Sequence, residues 1–255
     1  MNTTIAKTKD EVVQSLMDSG AQYGFSRSRR HPSAKAQICG TKNRTEIIDV
    51  EKSADQLTAA CEFIKKIGQK RQQVLFVGNK VEAHKIVVGA AEKCAMPFSN
   101  ERWLGGTLTN WTEMKKRIAK LEDLSTKREK NELGMYTKKE RLLIDREIAH
   151  LNRFFGGLVG MTQMPAALFV VDPREEKTAV SEAKARGIPV VALAGTDCDM
   201  SKIDFPIVAN DASRATIQMI SDAIVMALEE GMKLVPEGAA GIATPPGTET
   251  LASSV

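Results

Sequence analysis

Short apolar runs recur along the chain and predict buried β-strands. They occupy 45–50, 73–78, 167–172, 188–195 and 205–210. Several of these runs are apolar throughout rather than alternating, which is typical of strands in a parallel sheet that helices cover on both faces. Segments with helix-start signals separate the runs. This alternation of strand and helix predicts an α/β domain built around a parallel sheet.

Polar residues and glycines mark where the helices begin and end. Capping boxes are predicted at 8–11, 53–56 and 137–140, where a hydroxyl residue is followed three positions later by an acid or amide. Asp172 precedes Pro173, and proline is favoured at the first position of a helix. Four glycines are expected to end helices in the left-handed conformation: Gly20, Gly68, Gly187 and Gly231.

The middle of the chain breaks the alternation. Residues 110–155 are charged and contain almost no strand formers. Apolar residues recur there with the four-and-three spacing of a coiled-coil seam: Met114, Ile118, Leu121, and then Ile144, Ile148, Leu151 and Phe155. The pattern predicts a helical hairpin that projects from the α/β body, with arms of about 25–35 Å.

The predicted fold is therefore a three-layer α/β domain of the flavodoxin or Rossmann-like kind, a parallel sheet flanked by helices, with an inserted and protruding α-helical coiled-coil hairpin. We assign 1–106 and 157–231 to the α/β domain and 107–156 to the hairpin. Residues 232–255 are rich in Ala, Gly, Pro, Thr and Ser and are expected to be a disordered tail.

Composition places the chain among globular, intracellular proteins. It is 42% hydrophobic and 27% charged, with a net charge of +4. No apolar leader or membrane-spanning stretch is visible, so a soluble cytoplasmic protein is expected. The four cysteines lie far apart and are expected to be reduced thiols: Cys39, Cys61, Cys94 and Cys198.

The ends of the predicted strands offer weak evidence for an enzyme. Lys80, Asp172 and Asp197 follow strands, where ligands bind in such sheets. No glycine-rich phosphate-binding motif accompanies them, so helix capping is favoured over catalysis. The histidines lack metal-ligand spacing, and we expect no metal, no cofactor and no catalytic residue: His31, His84 and His150. A nucleotide- or phosphosugar-binding enzyme remains the alternative.

Basic residues give a stronger signal. Residues 27–44 contain six cations and no acid, and their Pro, Ser and Gly content predicts a loop. Such a segment suits nucleic-acid phosphates. We therefore predict RNA binding by Arg27, Arg29, Arg30, Lys35, Lys42 and Arg44. On the predicted hairpin, acids are interleaved among the cations, so RNA binding and a solvated helix face are equally favoured for Lys115, Lys116 and Arg117.

The segment 100–111 joins the sheet to the hairpin and holds both tryptophans. Trp103 and Trp111 could anchor this junction in the core, and an exposed tryptophan could instead stack on RNA bases. Gly105 and Gly106 allow backbone conformations that a Cβ would forbid. The residues alone leave RNA contact and packing open.

Five motifs carry a resemblance to a known family: "FVGNK", "ERWLGGTLTNW", "MPAALFVVD", "GIPVVAL" and "NDASRA". In this order and spacing they strongly resemble the bacterial S-two family of small-subunit ribosomal proteins, over about 12–232. The resemblance implies a structural protein without catalysis. It further implies 16S ribosomal RNA, neighbouring small-subunit proteins and, where present, the S-one protein as partners, with no membrane and no DNA. Residues matching the signature are implied at the RNA contact or the junction: Arg102, Trp103, Gly105, Gly106, Thr107, Asn110 and, as a junction anchor, Trp111.

The chain departs from the family pattern near its start. Members usually carry two histidines in Gly-x-His-x-Gly-His, whereas Gln22 and Phe25 stand at those positions. Metal or RNA contacts by those imidazoles are therefore not carried over. A protein-interaction scaffold that docks partners on the hairpin is a further alternative.

Overall fold

The structure is a computed structural model and describes residues 8–130 and 132–234. Its helices are α1 (Lys9–Asp18), α2 (Val50–Gln69), α3 (His84–Lys93), α4 (Trp111–Glu129), α5 (Lys138–Phe155), α6 (Lys177–Ala185) and α7 (Arg214–Lys233). Its strands are β1 (Tyr23–Ser26), β2 (Ile38–Lys42), β3 (Thr45–Ile48), β4 (Val74–Val77), β5 (Phe98–Ser99), β6 (Ala167–Val171), β7 (Val190–Ala194) and β8 (Phe205–Val208).

Five strands form the predicted parallel sheet, in the order β5-β4-β6-β7-β8. All four neighbouring pairs are parallel, and every residue of β4, β6 and β7 is buried. The continuous apolar runs at these positions therefore form buried parallel strands, as predicted, and the parallel α/β fold is confirmed.

The run predicted as a strand at 45–50 lies outside this sheet. Its core, β3, pairs antiparallel with β1 and β2 in a separate sheet of order β1-β3-β2. A two-residue turn joins β2 to β3, and both turn residues, Asn43 and Arg44, have positive φ angles of 50° and 66°. Turns of this hand match the twist of paired antiparallel strands. The prediction that 27–44 is a loop is wrong, because it contains a 3-10 helix (Pro32–Gln37) and β2.

Helices cover both faces of the parallel sheet. On the first face, α1, α2, α3 and α7 pack around inward side chains such as Phe76 and Phe169. On the second face, α4, α5 and α6 pack around Leu75 and Leu168. Successive residues of one strand point to opposite faces, so a single apolar run supplies both cores.

Two of the three capping boxes are confirmed. Thr8 and Thr137 are each the N-cap of a helix, and the backbone nitrogen of each donates to the carboxylate of the acid three residues later. Ser53 does not, because α2 begins earlier, with Asp49 as its N-cap. The Ser53 hydroxyl donates instead to the carbonyl of Val208. The helix predicted directly after Asp172 starts only at Lys177.

The four glycines divide into two kinds. Gly20 and Gly187 have positive φ angles of 79° and 68° and follow helices as predicted. Gly68 and Gly231 do not end helices. They lie inside α2 and α7, where a Cβ would come within 2.4 Å of the Leu228 carbonyl oxygen and 2.2 Å of the Lys65 carbonyl oxygen respectively. These two glycines let the helices pack backbone to backbone.

Two contacting helices occupy the predicted hairpin region. The buried side chains of α4 and α5 include Met114 and Ile118 on one helix and Ile148 on the other. An ion pair of 3.3 Å between Arg128 and Asp145 links the two helices. The coiled-coil supercoil, the projection from the body and the domain limits stay predictions.

The predicted tail is only partly within the described residues. Helix α7 continues to Lys233, past the predicted domain end at Gly231, and 235–255 lie outside the described residues. No helix in 8–130 or 132–234 is long and apolar enough to cross a membrane. All four cysteines are free thiols, with Cys94 and Cys198 buried and Cys39 exposed.

Candidate nucleic-acid interface

The junction segment is held by one buried carboxylate on α6. Glu182 accepts hydrogen bonds from the Trp103 indole nitrogen at 3.2 Å and from the backbone nitrogen of Gly106 at 2.7 Å. It also accepts from the backbone nitrogens of Leu108 and Thr109, at 3.0 and 3.1 Å, and from the Thr109 hydroxyl at 3.2 Å. The junction therefore folds around a single anion.

The surroundings of Glu182 favour its charged form. Burial by itself would raise the pKa of its carboxyl, but the donors from Gly106, Leu108, Thr109 and Trp103 outweigh it and hold the pKa below the ordinary value. Arg186, the residue that follows the end of α6, completes the attachment. Its guanidinium donates to the carbonyl of Leu108 at 3.1 Å and to that of Thr109.

Sequence reasoning missed Glu182. Its partners are separated from it by 73–79 residues, so no local spacing reveals the pairing. One signal was available: Glu182 shares a helix face with Ala179 and Ala183, which are both buried. A lone acid on the apolar face of a helix needs buried donors.

Both tryptophans are part of the core. Trp103 is 7% exposed and Trp111 is 9% exposed, which leaves little ring surface for stacking on a base. The Trp103 N–H is already bonded to Glu182. Of the two alternatives for these rings, the structure favours packing.

The remaining junction residues divide between interior and surface. Gly106 has a φ of 96°, which explains the need for glycine, whereas a Cβ at Gly105 would meet no atom within 4 Å. Thr107 is buried and donates to the Leu104 carbonyl at 2.6 Å. Of the signature residues predicted to contact RNA, Arg102 and Asn110 are exposed.

The basic segment is docked on the carboxyl end of β7. Backbone nitrogens of Phe25 and His31 both bond to Thr196, at 2.9 Å to its hydroxyl and 2.9 Å to its carbonyl. Gly24 permits this approach, because a Cβ there would lie 2.6 Å from the Thr196 methyl group. The small antiparallel sheet and the parallel sheet thus form one surface around these strand ends.

Two of the six predicted cations are engaged inside the protein. Arg30 pairs at 3.0 Å with Glu46, whose side chain is fully buried, so this arginine stabilises the small sheet. Arg29 lies 3.5 Å from Asp197 and stacks over the Phe25 ring, 4.5 Å from its centroid. Arg29 remains half-exposed, but part of its charge is already compensated.

The other four cations of this segment are exposed and make no side-chain hydrogen bond or ion pair with residues 8–130 or 132–234: Arg27, Lys35, Lys42 and Arg44. On α4, Arg117 is likewise exposed. Its neighbours are partly engaged, since Lys116 pairs with Glu113 at 2.7 Å and the Lys115 ammonium lies 5.7 Å from the centroid of the Trp111 ring.

A cavity of about 390 Å³ opens at the strand ends. Inside it, the Lys80 ammonium lies 3.1 Å from Asp172 and 3.3 Å from Asp211. Burial raises the pKa of Asp211 to about 7, and the charge of Asp172 adds to this effect. Asp172 itself has a φ of 61°, a left-handed conformation that aspartate tolerates better than most residues.

The charge of this strand-end cavity argues against a phosphate ligand. Its lining includes the cations Arg29, Lys80 and Arg174, and a larger set of acids: Glu82, Asp172, Glu175 and Asp197. An excess of acids repels phosphate groups. This charge balance weighs against the nucleotide- or phosphosugar-binding enzyme considered above.

One of these acids, Asp172, also belongs to a cluster of described residues that could hold a cation. Ligand atoms of Asp172, Cys198 and Asp211 lie within 4.8 Å of one another. Burial first, and then the neighbouring carboxylates, raise the pKa of the Cys198 thiol, which therefore stays protonated. Lys80 supplies the compensating positive charge. Phe25, at a position where the resemblance implies histidine, lies beside it with its ring centroid 6.0 Å from the Lys80 ammonium.

Comparison with known proteins agrees with this architecture. The family model for Ribosomal protein S2 matches residues 16–231. Three relatives are each named small ribosomal subunit protein uS2. The one from Chloroflexus aggregans is 38% identical over 221 residues, covering 87% of this chain and 93% of its own length. The one from a Roseiflexus species is 41% identical over 219 residues, with 86% and 84% coverage. The one from Dehalococcoides mccartyi is 39% identical over 208 residues, with 82% and 85% coverage. The chain therefore belongs to the ribosomal protein S2 family, whose members are structural proteins and not enzymes.

Proposed function

We propose that this protein is a structural constituent of the small ribosomal subunit in the cytoplasm, where it binds 16S ribosomal RNA and supports the docking of neighbouring ribosomal proteins during translation. Family membership supports the ribosomal role. The observation that carries RNA binding is the row of exposed, unpaired cations on the docked basic segment.

These cations suit RNA because no acid among the described residues is paired with them. Lys42 is the last residue of β2, Arg44 lies in the tight turn between β2 and β3, and Arg27 lies just beyond β1. A cation that already has an acidic partner loses that pairing when it binds phosphate. Unpaired cations have no such loss, and they release condensed counterions from the RNA. Arg30 is therefore removed from the proposed contact set, and Arg29 contributes less than the others.

The exposed side chains of the junction extend this surface. Arg102 and Asn110 project from a segment that Glu182 and Arg186 hold rigid. Groups held in place lose little conformational entropy on binding. We assign Trp103 and Trp111 to packing beneath the surface and Arg102 and Asn110 to RNA contact.

Protein neighbours are proposed to dock on α5. Leu142 and Leu143 are 51% and 54% exposed on this helix. Adjacent large apolar side chains on a helix surface favour a protein partner over solvent. The S-one protein, where it is present, is one candidate for this contact.

The test of RNA binding neutralises three unpaired cations together, as Arg27→Gln, Lys42→Gln and Arg44→Gln. Affinity for 16S ribosomal RNA is measured at several salt concentrations. Each lost phosphate contact lowers the slope of log affinity against log salt by about 0.7–0.9, so the triple variant is expected to lose about 2–3 units.

The matched control neutralises three exposed lysines on the first face of the sheet, as Lys66→Gln, Lys70→Gln and Lys85→Gln. These changes remove the same charge from α2, its C-terminal cap and α3. An equal loss of salt slope in both variants would mean that the effect comes from net charge alone. An unchanged slope in the first variant would show that the basic segment does not contact the RNA.

A further inference from the structure

We propose that a second contact for the ribosomal RNA backbone lies along α6, in a groove between this helix and the 3-10 turn Met200–Lys202. The inference rests on the proposed function and names a binding surface outside the basic segment. The groove encloses about 620 Å³. We call it the α6 groove, and its cations are Arg174, Lys177, Lys184 and Lys202.

The charge balance of the α6 groove is opposite to that of the strand-end cavity. Two acids line it, Asp197 and Asp199. Asp197 is almost buried and is bound by Arg174, with Arg29 at 3.5 Å. Asp199 lies 3.4 Å from Lys202 and accepts hydrogen bonds from Ser201. Both acids therefore have partners already, which leaves two lysines in excess.

These two lysines lie on one side of α6. Lys177 and Lys184 are seven residues apart with Ser181 between them, so they face the groove two turns apart, separated by about 10 Å along the helix axis. That separation exceeds the roughly 3.4 Å rise per nucleotide of a strand, so the pair can follow a backbone rather than hold one phosphate. Within the described chain, Lys177 makes no hydrogen bond or ion pair, and Lys184 only reaches the Ser201 carbonyl at 3.4 Å.

The position of Lys177 argues against a stabilising role. It is the first residue of α6, and the first turn of this helix contains no acid. The positive end of the helix dipole lies there, so a lysine is disfavoured relative to an acid. A cation that weakens its own helix and contacts no acid in 8–130 or 132–234 is better explained by an external anion.

The α6 groove is continuous with the basic segment. His31 lines the groove while its backbone nitrogen bonds to the carbonyl of Thr196 at 2.9 Å. Arg29 and Arg174 share the carboxylate of Asp197 across the boundary between the two surfaces. One polyanion can therefore run from the basic segment into the groove, which favours RNA over a small anion as the occupant.

The test reverses the two excess charges, as Lys177→Glu with Lys184→Glu, in the full-length protein. The control reverses two exposed lysines on the first face, Lys66→Glu with Lys85→Glu. Affinity for 16S ribosomal RNA is measured across a salt series. We expect the groove variant to bind roughly tenfold more weakly at physiological salt and to lose about 1.5–2 units of salt slope, with the control close to wild type. A second variant, Lys177→Arg with Lys184→Arg, keeps the charge and is expected to keep the affinity.

The outcomes distinguish a failure of the groove proposal from a failure of the proposed function on which it rests. If wild type binds and the groove variant matches the control, the groove is not an RNA contact and the proposed function stands. If the groove variant binds RNA normally but loses an acidic protein of the small subunit, the occupant is protein and the proposal is overturned. If wild type itself binds 16S ribosomal RNA no better than an unrelated RNA of equal length, the proposed function fails together with the groove.

Discussion

The segments that cover the two faces of the parallel sheet are held in place by different physical means. On the first face, α2 and α7 approach until the backbone of one helix touches the other, and Gly68 and Gly231 supply the room. On the second face, the junction is fixed to α6 by the carboxylate of Glu182 and the guanidinium of Arg186. The contact between α2 and α7 depends on shape, and the contact between the junction and α6 depends on charge.

The difference indicates where the molecule can carry function. A contact between glycines leaves no polar group to expose. A loop wrapped around a carboxylate has a rigid backbone while side chains such as Arg102 and Asn110 point outward. The proposed α6 groove and the proposed junction contacts both depend on α6. The charged bonds that fix the junction to α6 therefore also position the residues proposed to bind RNA.

The largest expected effect comes from removing the carboxylate. Glu182→Ala leaves the donors of Trp103, Gly106, Leu108 and Thr109 without their acceptor. Each buried donor without a partner costs about 1–3 kcal/mol, and water can relieve part of this, so we expect a loss of about 4 kcal/mol in the free energy of unfolding. Urea denaturation measures it. Glu175→Ala, which removes an exposed acid nearby, is expected to change it by less than about 0.5 kcal/mol. Equal effects of the two variants would refute the role of Glu182.

A somewhat smaller loss is expected on the first face. In Gly231→Ala the added Cβ would lie 2.2 Å from the Lys65 carbonyl oxygen, so α2 and α7 must separate. Overpacking of this kind costs about 2–3 kcal/mol. The matched control is Gly89→Ala in α3, where a Cβ meets no atom within 4 Å. There alanine is expected to stabilise the helix by about 0.5–1 kcal/mol. Thermal unfolding of both variants should show shifts of opposite sign, and shifts of the same sign would contradict the packing argument.

The smallest expected effect is the change of stability at acidic pH. The pKa of Glu182 is held below its ordinary value of 4.5, so its contribution to stability is complete above that pH and is lost as the pH falls through the folded-state pKa. The stability difference between wild type and Glu182→Gln should therefore be constant between about pH 6 and 8 and shrink below about pH 4.5. Gly231→Ala adds no titrating group and should show a difference from wild type that does not depend on pH. A Glu182→Gln difference that grew on acidification would reverse the sign of the argument.

Sequence was sufficient for features that depend on local pattern. The continuous apolar runs predicted β4, β6, β7 and β8, because a strand buried on both faces has no polar alternation. Five of the six cations of 27–44 are exposed, which is the general rule for arginine and lysine, and their contact with RNA stays a prediction.

Features that depend on distant partners were not predictable. Gly68 and Gly231 look like helix ends in a single sequence, because glycine serves both caps and close packing. In the sequence Arg30 resembles the neighbouring cations, yet it pairs with the buried Glu46, which lies in β3. The turn at Asn43 and Arg44 contains no glycine, so β2 was mistaken for part of a loop.

The ribosomal role can be tested by sedimenting a native cell extract through a magnesium-containing gradient and probing each fraction for this protein. We predict comigration with small subunits and whole ribosomes that survives moderate salt. A protein found only at the top of the gradient, while other small-subunit proteins sediment normally, would contradict its place in the subunit.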